Sequence, residues 1–265
     1  MSERPADPAT TSGALPATRS SRASGARAAM LAIMAAVLSP LAARAGLLPP
    51  GVAEAIFRGA ILLALIAVLM AVAAMRHSGR IGRGVMIVAL AIAAAVMPVR
   101  TWIAARSAPP IHDVTTDLDN PPRYVAVAKL RVPPANAVAY AGDAVARQQR
   151  ASYGDLRPLV VEAPPPQVLA MAADTARAEG WTVLAQDIGF GNLGRLEASD
   201  ATFLFGRIDD IVVRVTPHPA GSRVDVRSSA RDDTADAGRN ATRIRRFLAF
   251  LAERAAAEPA GTPAS

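Results

Sequence analysis

The residues best suited to chemistry lie in the C-terminal half, where arginines and acids alternate along short runs that read as strands. One run begins G-R-L-E-A-S-D-A-T-F-L-F-G at Gly194, and the next reads D-D-I-V-V-R-V. After a P-H-P-A-G-S-R turn come V-D-V-R-S-S-A-R and D-A-G-R-N-A-T-R-I-R-R-F. Successive strand residues point to opposite faces, so Ile211, Val213 and Val215 share a face, as do Val224 and Val226. The opposite face carries Asp210, Val212 and Arg214 on one strand and Arg223, Asp225, Arg227 and Ser229 on the next, with Arg195, Glu197 and Ser199 extending it. Guanidinium forks grip carboxylates and phosphates bidentately. The candidate ligand-binding set is therefore Glu197, Asp210, Arg214, Asp225, Arg227, Arg231, Asp236, Asn240 and Arg243, suited to an anionic lipid head group or a small anionic ligand. The same groups could instead pair with one another on a solvated sheet face, each pair contributing roughly 0.2–1 kcal/mol. The near-equal numbers of acids and arginines favour that self-pairing.

Other chemistries lack their residues. The chain has no cysteine, which removes disulfides, thiolate metal sites and cysteine nucleophiles. Its three histidines, His77, His112 and His218, form no H-x-x-x-H pair, and no G-x-S-x-G or carboxylate-rich metal loop occurs, so no catalytic residue, metal or cofactor is assigned. Gly189-Phe190-Gly191-Asn192-Leu193-Gly194 matches G-x-G-x-x-G, but a dinucleotide site needs a helix to follow. A strand pattern follows here, so these glycines read as a hairpin loop. His112 and Asp113 could meet the arginines in space, although a capping or turn role is favoured. Of the adjacent Asp209 and Asp210, only Asp210 should face them.

Those strands need helices to cover their apolar face. Pro164–Glu179 reads as a helix, with prolines in its first turn and Gly180 ending it. Strands follow at Trp181–Ile188, Gly194–Phe205, Asp210–Thr216 and Arg223–Ser229, with a turn at Pro217–Ser222. Asp236 is a good N-cap for a last helix to about Ala256. The fold class is α+β, a helix–four-strand–helix domain with an antiparallel sheet. Proline pairs make residues 109–135 extended, and a short helix fits Asp143–Gln149.

The N-terminal part differs in kind. Residues 1–26 read as a disordered cytoplasmic tail, and 257–265 as a disordered C-terminal tail. Residues 27–108 hold three apolar runs, expected as transmembrane helices at about 28–45, 57–75 and 84–100. Arg4, Arg19, Arg22 and Arg27 precede the first run, and Arg76, Arg80 and Arg83 separate the second from the third. The positive-inside rule then places 109–256 outside the inner membrane, in the periplasm of a bacterium. The first run also resembles a cleavable signal peptide, with Ala43-Arg44-Ala45 before Gly46. Either reading leaves the C-terminal domain outside.

Charge supports the division. The net charge of +7 hides eleven arginines against three acids in residues 1–108, and eighteen basic against nineteen acidic residues in 109–265. The soluble part is balanced, so nucleic acid is excluded as a partner. The lipid bilayer is the expected partner, and oligomeric state stays open.

Together, R-L-E-A-S, D-D-I-V-V-R-V, S-R-V-D-V-R-S and D-x-G-x-N-x-x-R-I-R, with H-D-V-T-T-D and P-P-R-Y upstream, resemble the bacterial domain-of-unknown-function family 1499 over roughly residues 109–252. The resemblance implies a compact α+β domain, often behind N-terminal membrane helices, and no activity. Arg227, Ser228, Arg231, Asp236, Gly238, Asn240 and Arg243 fit its R-S-x-S-R-x-G-x-S-D-x-G-x-N pattern and the arginine beyond it. Ala230, Asp233 and Ala235 depart from it. The expected function is a membrane-anchored periplasmic binding or envelope-interaction module. An enzyme using Asp210, Asp225 or His112 with arginine clamps, or a purely structural membrane assembly protein, are the alternatives.

Overall fold

The computed structural model describes residues 20–78, 81–132, 135–232 and 235–257. Three helices come first, α1 (Ser20–Arg44), α2 (Pro50–Ser78) and α3 (Ile81–Ser107). Ser24–Arg44, Pro50–Arg76 and Ile81–Ser107 are each long and apolar enough to cross a membrane, which makes this a membrane protein. The helices overrun the expected spans because their alanine- and arginine-rich flanks keep good helix propensity. Thus α1 starts inside the stretch expected to be a disordered tail. Residues 1–19 and 258–265, which hold most of the two expected tails, and Arg80 lie outside the described residues.

The chain divides into two compact units. The first takes the helices up to Ser39 and from Ala55 to Pro98, and the second takes Pro40–Glu54 and everything from Val99 onward. Alanine dominates the interior of the first unit, with Ala28, Ala29 and Ala32 of α1, Ala64, Ala67 and Ala71 of α2, and Ile87, Ala91 and Ala94 of α3. Along α3 the buried positions Gly84, Ile87, Ala91, Ala94 and Pro98 recur at alternating short spacings, which keep one stripe turned toward neighbouring helices. Small side chains on such a stripe let backbones approach closely.

In the second unit, β1 (Asp113–Thr115), α4 (Asp143–Ser152), β2 (Leu159–Val161) and α5 (Pro165–Ala178) precede a meander of β3 (Thr182–Ile188), β4 (Gly194–Ala201), β5 (Ile208–His218) and β6 (Gly221–Ala230), and α6 (Arg239–Ala257) closes the domain. The sheet order is β1-β6-β5-β4-β3, and β2 also pairs with β6; every pairing is antiparallel. Six strands therefore replace the four expected. β1 and β2 are three-residue pieces that share the outer edge of β6, too short to show periodicity in the sequence. The glycine-rich segment is the β3–β4 hairpin loop, with Gly191 and Asn192 at positive φ. The second expected strand ends at Ala201 rather than Phe205. There the Thr202 hydroxyl accepts from the Arg207 N–H at 3.0 Å and closes a turn.

Helices α5 and α6 cover one face of the sheet. Ile211, Val213, Val215, Val224 and Val226 pack there against Val168, Leu169, Ile244 and Phe247, and Trp181 stacks on Phe247 with ring centroids 4.9 Å apart. The alternation had placed these residues correctly. The other face is also covered, by the segment between β1 and α4, whose Tyr124 and Val127 bury Val212; it is not extended throughout as expected, since Val127–Leu130 form a 3-10 turn in a stretch free of prolines. The charged face is therefore covered at its centre, where Glu197, Asp210, Asp225 and Arg227 are buried, while Arg195, Arg214, Arg223 and Arg231 keep part of their side chains in solvent.

Gly221 shows how tightly β2 closes on β6. Its φ is +117°, and a Cβ would collide with the Val161 carbonyl and lie 2.8 Å from the Ala163 nitrogen. Gly221→Ala should destabilise the domain by more than about 2 kcal/mol, because backbone strain and a backbone clash add. Guanidinium unfolding of the full chain in detergent, followed by tryptophan fluorescence, checks this, and an unchanged midpoint contradicts it.

Candidate functional site

Burial forces every charge on the covered face to find a partner. Arg227, on β6, is 2% exposed. Its Nε and Nη2 donate to Asp113 Oδ1 and Oδ2 at 2.9 and 2.7 Å, and further bonds reach the carbonyls of Pro122 (3.2 Å) and Val138 (3.0 Å). The guanidinium carbon lies 4.7 Å from the centre of the Tyr124 ring and 5.5 Å from that of Tyr140, within cation–π range. Burial opposes the charge on Arg227, but the Asp113 bonds outweigh it and hold the guanidinium above its ordinary pKa. Asp113 therefore joins the charged face instead of serving only as a cap or turn residue.

Asp210 accepts from Arg131 Nε (2.8 Å) and Arg231 Nη2 (2.5 Å). Arg214 and Arg223 both donate to Asp117 and Asp225 at 2.8–3.0 Å through their Nη2 atoms. Glu197 has a different environment, since its carboxylate accepts the backbone N–H groups of Val125 and Val127 at 2.9–3.0 Å. It thereby pins the covering segment to β4. The Tyr124 hydroxyl donates to the Asp210 carbonyl at 2.8 Å, and burial followed by the nearby Asp113 charge raises its pKa.

Three of the nine expected site residues lie on the helix side. Arg243 of α6 donates to Asp200 (2.8 Å) and Asp209 (2.7 Å), and also to Asn240 Oδ1 (2.7 Å). Asn240 Oδ1 accepts from the Ser228 hydroxyl at 2.7 Å. α6 begins at Arg239, three residues later than expected, so Asp236 lies ahead of the N-cap position, yet its carboxylate still accepts from the Gly238 and Asn240 N–H groups at 2.9 and 2.8 Å and satisfies the helix start. Burial raises the Asp236 pKa against the pull of those two amides. The nine residues thus divide between two faces of the sheet. Glu197, Asp210, Arg214, Asp225, Arg227 and Arg231 share one, and Asp236, Asn240 and Arg243 the other.

Sequence reasoning missed Asp117, Tyr124, Arg131 and Tyr140 as partners, and Asp209 as an ion-pair member on the helix side. The H-D-V-T-T-D and P-P-R-Y motifs contain two of them, and Asp209 follows from strand alternation once a helix arginine is placed opposite.

Beside the lattice the covering segment forms a cleft of about 670 Å³. Leu118–Pro121, Arg123 and Tyr124 form one side and Val138–Tyr140, Gly142 and Asp143 the other, with Arg227 between. Among the described residues the Tyr140 hydroxyl has no hydrogen-bond partner although the atom is buried, and burial pushes its pKa up to about 12. It remains protonated at neutral pH, so it can donate. Among the described residues, no group of three or more His, Asp or Glu is placed to hold a metal ion.

A family model described as a protein of unknown function, DUF1499, matches residues 113–251. No curated protein matches the chain.

Arg227→Ala would strand Asp113 as a buried, unpaired carboxylate, so it should cost about 3–5 kcal/mol. Arg227→Lys should recover only part of this, because a point charge cannot replace a bidentate fork. Denaturant titration of both variants checks the order, and equal stability of the two would refute it. Asp236 gives a pH test. Its folded pKa is raised, so its favourable contribution is present below the unfolded value and lost as pH rises through the folded one. Asp236→Asn should therefore gain in Tm relative to the native chain as pH rises above about 4, the ordinary aspartate value, whereas Asp236→Ala should lose about 1 kcal/mol of capping.

Proposed function

We propose that this chain, which belongs to the DUF1499 family of proteins of unknown function, is a membrane-anchored binding module of the bacterial envelope. Its domain stands on the periplasmic side of the inner membrane. The arginine–acid lattice is its internal skeleton, and the ligand sits in the cleft beside it. One observation carries this reading. The Tyr140 hydroxyl is a protonated donor without an internal acceptor in the cleft wall, next to a guanidinium fixed between two aromatic rings. Arg123 is exposed at the same cleft. Converging donors with aromatic walls suit a small ligand carrying an anionic or strongly accepting group. An anion in the lattice itself would have to displace a carboxylate from each arginine. Burial and ion pairing of Asp210 and Asp225 likewise favour binding over acid–base catalysis.

The arginine distribution supports the orientation. Arg76 and Arg83 lie at the facing ends of the second and third spans, which the positive-inside rule puts in the cytoplasm, and α3 then leads outward. Two experiments test the reading. Alkaline phosphatase fused after residue 265 should be active, and a fluorescent protein fused there should be dark; the reverse overturns the orientation. Thermal-shift titration of the full chain in detergent, with phosphate, a dicarboxylate and glycerophosphate as probes, should stabilise the native protein. Tyr140→Phe and Arg123→Ala should abolish that shift without changing the unliganded Tm. A shift that survives both variants moves binding elsewhere, and no shift with any probe removes the anionic-ligand reading.

A further inference from the structure

The Thr202–Gly206 turn is the least expected surface of the second unit. Its sequence, T-F-L-F-G, is apolar at a position where turns are ordinarily polar. Phe205 turns inward, but Phe203 is 84% exposed. The turn is not loose, since Thr202 N–H donates to the Arg207 carbonyl (2.8 Å) and Gly206 N–H to the Thr202 carbonyl (3.0 Å). The Phe203 side chain thus projects from an ordered turn and does not contribute to the core.

What holds the turn indicates what it faces. Arg44, the last residue of the first candidate span, donates Nη1 to the carbonyls of Thr202 (3.1 Å) and Phe203 (2.9 Å). At the other end Arg207 Nε donates to Glu54 Oε1 at 2.7 Å, and Glu54 lies in the opening turns of the second span. Residues at the ends of two spans therefore grip the turn from both sides. Near the end of the third span, Arg106 lies over the Trp102 ring at 4.5 Å, the aromatic-and-arginine pairing expected at a membrane–water interface. An exposed phenylalanine tied to Arg44 and Glu54 at the ends of two candidate spans is the kind of aromatic that is stable among lipid headgroups.

We propose that the Thr202–Gly206 turn is a lipid-contacting loop, with Phe203 laid into the interfacial layer of the bilayer and Arg44 and Glu54 holding it at that depth. This rests on the membrane-anchored reading, and the experiment separates the two. The absence of cysteine makes single-site labelling clean. Phe203→Cys, Leu65→Cys and Phe190→Cys would each carry an environment-sensitive fluorophore on the full chain in lipid nanodiscs. Leu65 lies mid-span, and Phe190 is fully exposed in the β3–β4 loop. The label at 203 should be blue-shifted and lose most of its emission to a quencher carried by shallow lipid acyl positions, the label at 65 should be quenched by one carried at deep acyl positions, and the label at 190 should stay bright with both. If 65 is quenched and 203 behaves like 190, the loop inference fails alone. If 65 is not quenched, the membrane reading fails with it. Arg44→Gln should reduce quenching at 203 and leave 65 unchanged; unaltered quenching at 203 would show that Arg44 does not hold the loop.

Discussion

The buried Arg227–Asp113 pair is the constraint around which the second unit is arranged. A guanidinium 2% exposed on the face of a sheet is tolerable only if its donors are met by fixed acceptors. One pair of acceptors comes from β1, and two carbonyls come from the segment that crosses the sheet. That single requirement brings β1 to the edge of β6 and folds the proline-rich segment over the face. It also places Tyr124 and Tyr140 against the guanidinium. Glu197 repeats the device on β4 by collecting two amides of the same segment. The covering layer has few apolar contacts of its own, so directional hydrogen bonds hold it where hydrophobic area would not.

The parts legible in the sequence were those with a period. Alternation sorted Ile211, Val213 and Val215 from Asp210, Val212 and Arg214, and the prolines and Gly180 bounded α5. The covering layer has no period, and reads only as an extended stretch between prolines. Its role depends on where Arg227 and Glu197 point, which emerges only in three dimensions. β1 and β2 escaped for a related reason, since three residues cannot display alternation. The phenylalanines of T-F-L-F-G looked like strand because apolar alternation does not distinguish a core from another apolar environment. The nine candidate residues were read as one group, and α6, crossing behind the sheet, draws Asp236, Asn240 and Arg243 to the other face.

The two units solve burial differently. In the first, alanine stripes meet alanine stripes, and association gains from close backbone approach rather than from removing area from water. In the second, a conventional apolar core lies under α5 and α6 while a charged layer is sealed on the far side. Such a layer gives little net stability over an apolar one, so its presence needs another explanation.

Strand register supplies one. Ile211, Val213 and Val215 of β5 lie opposite Ser228, Val226 and Val224 of β6. Sliding one strand by two residues keeps every one of these side chains on the helix face and still sets valine against valine, so the apolar core cannot distinguish the two registers. The charged face can. In the observed register Arg214 lies opposite Asp225 and Val212 opposite Arg227. A two-residue slip in either direction sets Arg214 against Arg223 or Arg227, like charges across a partly covered sheet face, which directly opposed strand positions disfavour. It would also carry Asp210 away from Ser229, to which Arg131 and Tyr124 are bound. The charges thus specify the one alignment in which the segment above the sheet finds its partners, and with it the cleft between that segment and Arg227.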